Sequence, residues 1–91
     1  EIYYWQNTSQ HEVDFVVKKG LEIKALIQVC CDMNPLETKK REIQSLLEAG
    51  RELKCNNLVV ITEDAEQEEI IDDQTVRYIP LWKWLLAENR L

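Results

Sequence analysis

The first third of the chain alternates apolar and polar residues in the manner of β-strands. Residues 2–5 and 12–17 are rich in Tyr, Trp, Val and Phe, and the polar sequence QNTSQ between them supplies turn-forming residues. A third strand, residues 21–31, follows Gly20, which can adopt the positive φ that a short hairpin loop requires. These patterns predict a three-stranded antiparallel meander.

The segment after the meander repeats its apolar residues with the period of an α-helix. Asn34 has the character of an N-cap, Pro35 that of the first helical residue, and Glu37 that of the reciprocal partner of the cap. The spacing predicts a helix over residues 35–54 that packs on the sheet through one apolar stripe and leaves Arg51 in solvent. The stripe consists of Leu36, Ile43, Leu46, Leu47, Gly50 and Leu53.

The last third predicts two strands and a second helix. The sequences NNLVVIT and TVRYIPL are typical of buried strands, and the acidic residues 63–73 between them are expected to form a solvated loop. A helix begins at Pro80 and is apolar nearly all round, so it should pack against the sheet or against another part of a longer protein. The predicted order is therefore meander, helix, strand, strand and C-terminal helix, an α/β fold.

Composition indicates one folded domain over residues 1–91. The chain is 45% hydrophobic and 31% charged, with two Gly and two Pro, which is too apolar for a disordered tail and too poor in breakers for a linker. It begins at Glu1 with an apolar aromatic run that has no cap. We therefore expect a fragment of a longer protein.

The three cysteines and the absence of long apolar runs bear on location. Cys30, Cys31 and Cys55 are odd in number and lack CxxC spacing, which argues against disulfides and zinc and favours buried thiols in a reducing cytosol. No apolar run approaches the ~20 residues of a membrane-spanning helix, and no secretory leader is present. We expect a cytoplasmic protein with no membrane partner.

The net charge of −6 is concentrated in one segment. Residues 63–73 hold seven of the 17 acids and no base, which leaves ten acids against eleven Lys and Arg in the rest of the chain. The segment lacks the glycine-punctuated spacing of a calcium loop. Its charge opposes nucleic acid at that edge of the molecule, so binding of nucleic acid is disfavoured.

Two polar residues interrupt the apolar strands of the meander. If the second and third strands keep their half-polar faces together, Asp14 lies opposite or diagonal to Leu26 and Gln28, and Asp14 and Gln28 become neighbours. An acid on one strand, followed on the next by an acid, a spacer and a lysine, holds a divalent metal beside a scissile phosphate. The strands therefore form a scaffold suited to that chemistry.

With this scaffold, the chain resembles the PD-(D/E)xK nuclease superfamily, and more closely the nuclease-like domain that follows the P-loop ATPase domain in a family of prokaryotic ATPases. The resemblance implies a restriction-endonuclease-like core without its first helix. It also implies an ATPase domain in the same chain as the partner, with ATP bound in that domain. The matching sequences are YYW, HEVDFVV, LIQV, ETKKREIQSLLEA, NNLVVIT and IPLWKWLL.

The nuclease motif is degenerate in this chain. Where an active member has acid-x-lysine, this sequence has Gln28, Val29 and Cys30, so a neutral oxygen replaces a carboxylate and a thiol replaces the cation. Lys39, on the apolar side of the predicted helix, either supplies the missing ammonium or extends to water. A metal held by Asp14 and Gln28 would bind weakly, and we expect that site to be vacant.

These observations favour a non-catalytic accessory or regulatory module of a P-loop ATPase, which binds rather than cleaves and carries no cofactor of its own. One alternative is a Mg²⁺-dependent DNA endonuclease that uses Asp14, Gln28 and Lys39. Another is a DNA-binding module without cleavage, which the acidic balance disfavours. His11 and Glu12 are weaker site candidates, since a surface position explains each of them.

Overall fold

The structure, a computed structural model, describes residues 2–6, 12–29 and 36–88. These residues form one six-stranded mixed sheet with two helices, and the strand order across the sheet is β1-β2-β3-β4-β6-β5. The elements are β1 (Ile2–Gln6), β2 (Glu12–Lys19), β3 (Glu22–Val29), α1 (Leu36–Leu53), β4 (Leu58–Thr62), β5 (Gln67–Ile71), β6 (Gln74–Pro80) and α2 (Leu81–Glu88).

The strand pairing confirms a mixed α/β fold. The strands β1, β2 and β3 form the predicted antiparallel meander. Helix α1 then connects β3 to β4, which pairs with β3 in parallel, and β6 pairs in parallel with β4. The remaining strand, β5, lies at the edge, antiparallel to β6. The crossover through α1 is the connection that parallel neighbours require.

The turn between β2 and β3 has the geometry predicted for it. Gly20 has a φ of 64° and occupies the first of the two turn positions, with Leu21 in the second. A positive φ at that first position is the property of a type II′ turn, which matches the twist of hairpin strands. The structure therefore confirms the role predicted for Gly20.

A β-bulge in β2 changes which side chains reach the core. Tyr3 pairs with Val16 but Trp5 pairs with Val13, so β2 holds one more residue than β1 between these pairs. Val13 and Val16 consequently lie together in the core beneath α1, while Phe15 is partly exposed. Strict alternation would place Val13 with Phe15, and that prediction is wrong because of the bulge.

A second irregularity lies in β3, beside Lys24. Val17 pairs with Ala25 and Lys18 pairs with Ile23, which leaves Lys24 as an extra residue. Ile23 packs against the core beneath α1, whereas Ala25 packs on the other face of the sheet. Strict alternation along the predicted strand 21–31 would place Ile23 and Ala25 on one face, and that prediction is wrong because of the extra residue.

Helix α1 covers one face of the sheet through the predicted stripe. Ile43, Leu46 and Leu47 are buried and Arg51 is exposed, as the spacing predicted. The helix contacts β2, β3 and β4. The core beneath it includes Val13, Val16, Leu26, Leu58, Val60, Val76 and Tyr78.

The last turn of α1 fits closely against its surroundings. The Cys55 N–H donates to the Gly50 carbonyl at 3.0 Å, and Lys54 has a φ of 55°, which together form a Schellman motif. A Cβ on Gly50 would lie 2.8 Å from Nε2 of Gln74 and 3.1 Å from the Cys55 carbonyl oxygen. The absence of a side chain at Gly50 therefore permits this approach.

The acidic segment is more ordered than its sequence indicates. The prediction of a loop over residues 63–73 is wrong in part, because the segment contains β5. Asp72 and Asp73 then form a turn with φ values of 50° and 67°, the signs of a type I′ hairpin, and lead into β6. An edge strand is exposed to solvent on several sides, so it can have polar side chains on both faces. The alternation of apolar and polar residues that predicts a strand is then missing.

Helix α2 covers only part of the opposite face. Trp84 packs there with the second apolar cluster, which contains Ala25, Ile27, Val59 and Ile61. The contacts of α2 are chiefly with β4 and β6, and Leu81, Trp82, Leu85 and Leu86 remain exposed. Neither α1 nor α2 is long and apolar enough to cross a membrane.

Candidate functional site

Asp14 and Gln28 are neighbours, as predicted, and two hydrogen bonds join β2 and β3 at this point. The Asp14 N–H donates to Oε1 of Gln28 at 2.8 Å, and the Val29 N–H donates to Oδ2 of Asp14 at 2.9 Å. The residues follow directly on the Phe15–Ile27 pair of the β2–β3 ladder. At this end of the hairpin, the side chains of Asp14 and Gln28 therefore form the hydrogen bonds between the two strands.

The amide nitrogen of Gln28 forms two further hydrogen bonds, one to β2 and one to α1. Its Nε2 donates to the Glu12 carbonyl at 2.8 Å and to the Glu42 carbonyl at 3.2 Å. The Gln28 side chain is 1% exposed. One buried side chain thus joins the main chains of β2 and α1 to its own strand, β3.

The partners of Gln28 define the orientation and the chemistry of its amide. A main-chain N–H can only donate and a carbonyl can only accept, so Oε1 and Nε2 cannot be exchanged without losing all three bonds. A carboxylate at the same position would place an oxygen without a proton against the Glu12 and Glu42 carbonyls. The pocket around Gln28 therefore fits an amide and opposes an anion.

Several carboxylates lie near the junction of β2, β3 and α1 around Gln28. Burial raises the pKa of Glu42 first, Asp14 raises it next, and Glu12 adds to the effect, while Arg41 lowers it. The pKa of Tyr4 is also raised, first by its hydrogen bond to Glu12 and then by burial and the charges of Glu12 and Asp14. The region around Asp14 is therefore electronegative.

Glu42 belongs to this group, and sequence reasoning missed it. The signal that could have found it is its position four residues before the buried Leu46, which places it over the sheet on α1. The acid-x-lysine motif indicates residues on β3 only. Among the described residues, no group of three His, Cys, Asp or Glu is arranged to hold a metal ion.

The other predicted site residues are only partly described by the structure. The backbone of Lys39 lies in α1, three residues before Glu42, but its side chain lies outside the described part of the chain. His11, Cys30 and the predicted cap at Asn34 also lie outside the described residues. The catalytic and metal-binding roles considered for Asp14, Gln28 and Lys39 stay predictions. Cys55 is a buried free thiol.

Comparison with known proteins places the chain in a family. The family is described as Domain of unknown function (DUF4143), and its profile matches residues 1–84. Because the match covers nearly the whole chain, the chain belongs to this family. Searches of curated proteins and of solved structures found no match to the chain.

Proposed function

We propose that this DUF4143 domain is a non-catalytic, nuclease-like module that serves a P-loop ATPase by binding rather than by cleaving. The observation that carries the proposal is the bonding of Gln28. Both amide protons and one lone pair of this side chain are used by main-chain groups, and the side chain is 1% exposed. We infer that Gln28 stabilises the junction of β2, β3 and α1 in place of holding a metal.

The order of elements supports the nuclease-like part of the proposal. A meander, a crossover helix and a parallel strand follow one another as the resemblance to the restriction-endonuclease-like core implies. The resemblance implies that Asp14 stands at the strand position of the metal-binding aspartate of that superfamily. Its Oδ2 accepts a hydrogen bond from the Val29 N–H, so Asp14 has a bonding role between β2 and β3.

The ATPase part of the proposal depends on the family. Domains of this family are commonly found with ATPases. A P-loop ATPase domain in the same chain would bind ATP and would be the partner of the module. The printed sequence has no glycine-rich phosphate loop, so the ATP site would belong to the partner domain.

A second candidate function is the Mg²⁺-dependent DNA endonuclease, and the group of carboxylates around Asp14 favours it. The charges of Asp14 and Glu12 both raise the pKa of Glu42, so the three carboxylates lie close together, and such a group creates a potential that attracts divalent cations. In this reading Glu42 supplies the acid that Gln28 does not, and Lys39 supplies the cation near the phosphate.

A cleavage assay tests the choice between the two functions. We expect no cleavage of plasmid or single-stranded DNA above background with Mg²⁺ or Mn²⁺, for this chain or for the intact parent protein with ATP. We also expect no calorimetric heat of binding at millimolar metal. The reason is that both the charged ligand on β3 and the lysine of the motif are replaced, and each is worth several kcal/mol in a metal-dependent transition state.

Three variants give the assay its discrimination. Cleavage that is lost in both Asp14→Ala and Lys39→Ala would overturn the proposal and establish the endonuclease. Metal binding that is lost in both Glu42→Gln and Asp14→Ala would also overturn the proposal and would establish a metal site at these residues. Cleavage that survives every one of these changes would place catalysis outside this junction and would also contradict the proposal.

A further inference from the structure

The strand β5 forms an open edge of the sheet, since β6 is its neighbour on one side and no described strand lies on the other. The turn at residues 72–73 has two residues, so Ile71 and Gln74 beside it exchange main-chain hydrogen bonds. Every second pair along an antiparallel ladder does the same. The main-chain N–H and C=O groups of Glu68 and Ile70 therefore point outward, away from β6.

The centre of this edge carries an apolar side chain. Ile70 is 78% exposed. Natural proteins usually protect an open edge with charged residues or proline, which discourage a further strand. Ile70 departs from that pattern, because a β-branched side chain beside outward main-chain groups favours strand pairing. The centre of β5 is therefore suited to accept another strand.

The surroundings of the β5 edge are strongly acidic. Residues 63–73 hold seven acids and no base. Glu66 forms an ion pair with Lys83 on α2, and Glu69 accepts a hydrogen bond from the Tyr78 hydroxyl. The five other carboxylates of the segment are exposed and form no ion pair with a described residue. They are Glu63, Asp64, Glu68, Asp72 and Asp73.

Arg77 on β6 offsets only part of this negative charge. It stands opposite Glu68 in the ladder, but its guanidinium donates to Oδ1 of Asn57 at 2.7 Å and forms no ion pair with Glu68. With both Arg77 and Lys83 counted, the edge still has a net negative charge. Charge complementarity therefore favours a basic occupant and disfavours nucleic acid and anionic lipid.

We propose that the outer edge of β5 binds a basic, extended segment of a partner polypeptide, which adds a strand to the sheet. The main chain of the segment pairs with Glu68 and Ile70, and its lysines or arginines lie beside the unpaired carboxylates. Strand addition takes its affinity from main-chain hydrogen bonds and its specificity from the alternate side chains. The proposal rests on the binding role proposed above and names the surface and the chemistry of the partner.

Three peptides of about eight residues, an ordinary strand length, test the proposal. The first alternates Lys with Val, and the second alternates Glu with Val. The third repeats the basic sequence with N-methyl groups on its central residues, which removes main-chain donors and keeps every charge. Fluorescence anisotropy measures their binding to the 91-residue chain. We expect the basic peptide to bind at least about tenfold more tightly than either of the others, because one lacks the charges and the other lacks the hydrogen bonds.

Matched double variants test the contribution of charge. Glu68→Gln with Asp73→Asn removes two charges from the edge and should weaken binding of the basic peptide about fivefold. Glu48→Gln with Glu52→Gln changes the net charge of the chain equally on α1, and should leave this binding unchanged. The effect of the edge variant should shrink at high salt.

Variants of Ile70 test the contribution of the main chain. Ile70→Pro removes an outward N–H without removing a hydrogen bond of the β5–β6 ladder, and proline is tolerated at such edge positions. It should reduce the difference between the basic peptide and its N-methylated form by at least about threefold, whereas Ile70→Thr, which keeps the N–H, should retain the difference. Unfolding midpoints show whether the variants are folded. The peptide comparison on the unsubstituted chain decides the proposal without them.

Several outcomes would overturn the proposal. Equal binding of the basic peptide and its N-methylated form would show attraction of charges without strand addition. Equal binding of the basic and acidic peptides, or binding that no edge variant weakens, would exclude this edge as the site. Self-association of the chain, measured by sedimentation and lost in Ile70→Pro, would make a second copy the occupant. DNA cleavage dependent on Asp14 would overturn only the proposed non-catalytic function, since Asp14 lies on β2, in the other half of the sheet.

Discussion

The two faces of the sheet differ in how completely they are covered. Beneath α1, an 18-residue helix buries a continuous core and holds a saturated polar junction at Gln28. On the opposite face, the eight-residue α2 packs the partly buried Trp84 against the sheet, and in the described part of the chain Phe15 and Leu85 remain exposed. The comparison indicates that burial beneath α1 contributes more to the stability of the fold than burial beneath α2. Substitutions at matched positions on the two faces test this division.

The largest difference is expected between two leucines. Leu46 on α1 is fully buried, so Leu46→Ala should lower the free energy of unfolding by about 3 to 4 kcal/mol, whereas Leu85→Ala on α2 should lower it by less than about 1 kcal/mol. Urea unfolding of each variant measures the two values. Similar losses at both positions would show that α2 is as important to the core as α1.

Gln28→Ala should be nearly as damaging, with a loss of about 2 to 3 kcal/mol. The change leaves the Asp14 N–H and the Glu12 and Glu42 carbonyls without their partner in a buried place. Gln67→Ala, on the exposed strand β5, is the control and should be close to neutral. Gln28→Glu should also be destabilising at neutral pH. Full stability of Gln28→Glu would mean that the junction accepts a carboxylate, as a metal site would.

Gly50→Ala should destabilise the protein by about 1 to 2 kcal/mol, although alanine favours helices over glycine by about 1 kcal/mol. The new methyl group would lie 3.1 Å from the Cys55 carbonyl oxygen, which belongs to the main chain and cannot rotate away. Ala87→Gly in the exposed part of α2 measures the propensity effect alone. Stabilisation by Gly50→Ala would show that α1 can move away from β4.

The smallest expected effect concerns Glu42 and depends on pH. Because the pKa of Glu42 is raised in the folded protein, its favourable contribution is complete below its ordinary value of 4.5 and is lost as the pH rises through the folded pKa. Glu42→Gln should therefore gain stability relative to the unsubstituted chain as the pH rises above about 4.5. Glu52→Gln, on the exposed side of α1, controls for the effect of the same substitution on the helix. Thermal unfolding between pH 4 and 7 measures both.

Sequence patterns predicted the α1 face well because burial there depends on local rules. The stripe of α1, the turn at Gly20 and the contact of Asp14 with Gln28 follow from helical spacing, glycine conformation and strand parity. The bulges beside Asp14 and Lys24 do not follow from such rules, since one extra residue leaves no mark in composition. They nevertheless decide that Val13 belongs to the core beneath α1 and that Phe15 lies on the opposite face.

The candidate site was predicted only in part for a related reason. The strand pattern could place Asp14 beside Gln28, but it could not show that the amide would bond to Glu12 and Glu42. Those bonds depend on how α1 packs on β3, and this packing is a feature of the tertiary structure. The bonding role of Gln28 therefore became visible only when the helix and the strands were considered together.

The acidic edge strand has a consequence for how molecules of this protein behave toward one another. Unpaired edge strands tend to join the sheets of neighbouring molecules, and such joining leads to aggregation. Glu68, Glu69, Asp72 and Asp73 in and beside β5 give this edge a negative charge that repels a second copy of itself. The repulsion weakens as the pH approaches the isoelectric point near 4.7. The acidity of this segment thus helps to keep concentrated protein in solution at neutral pH.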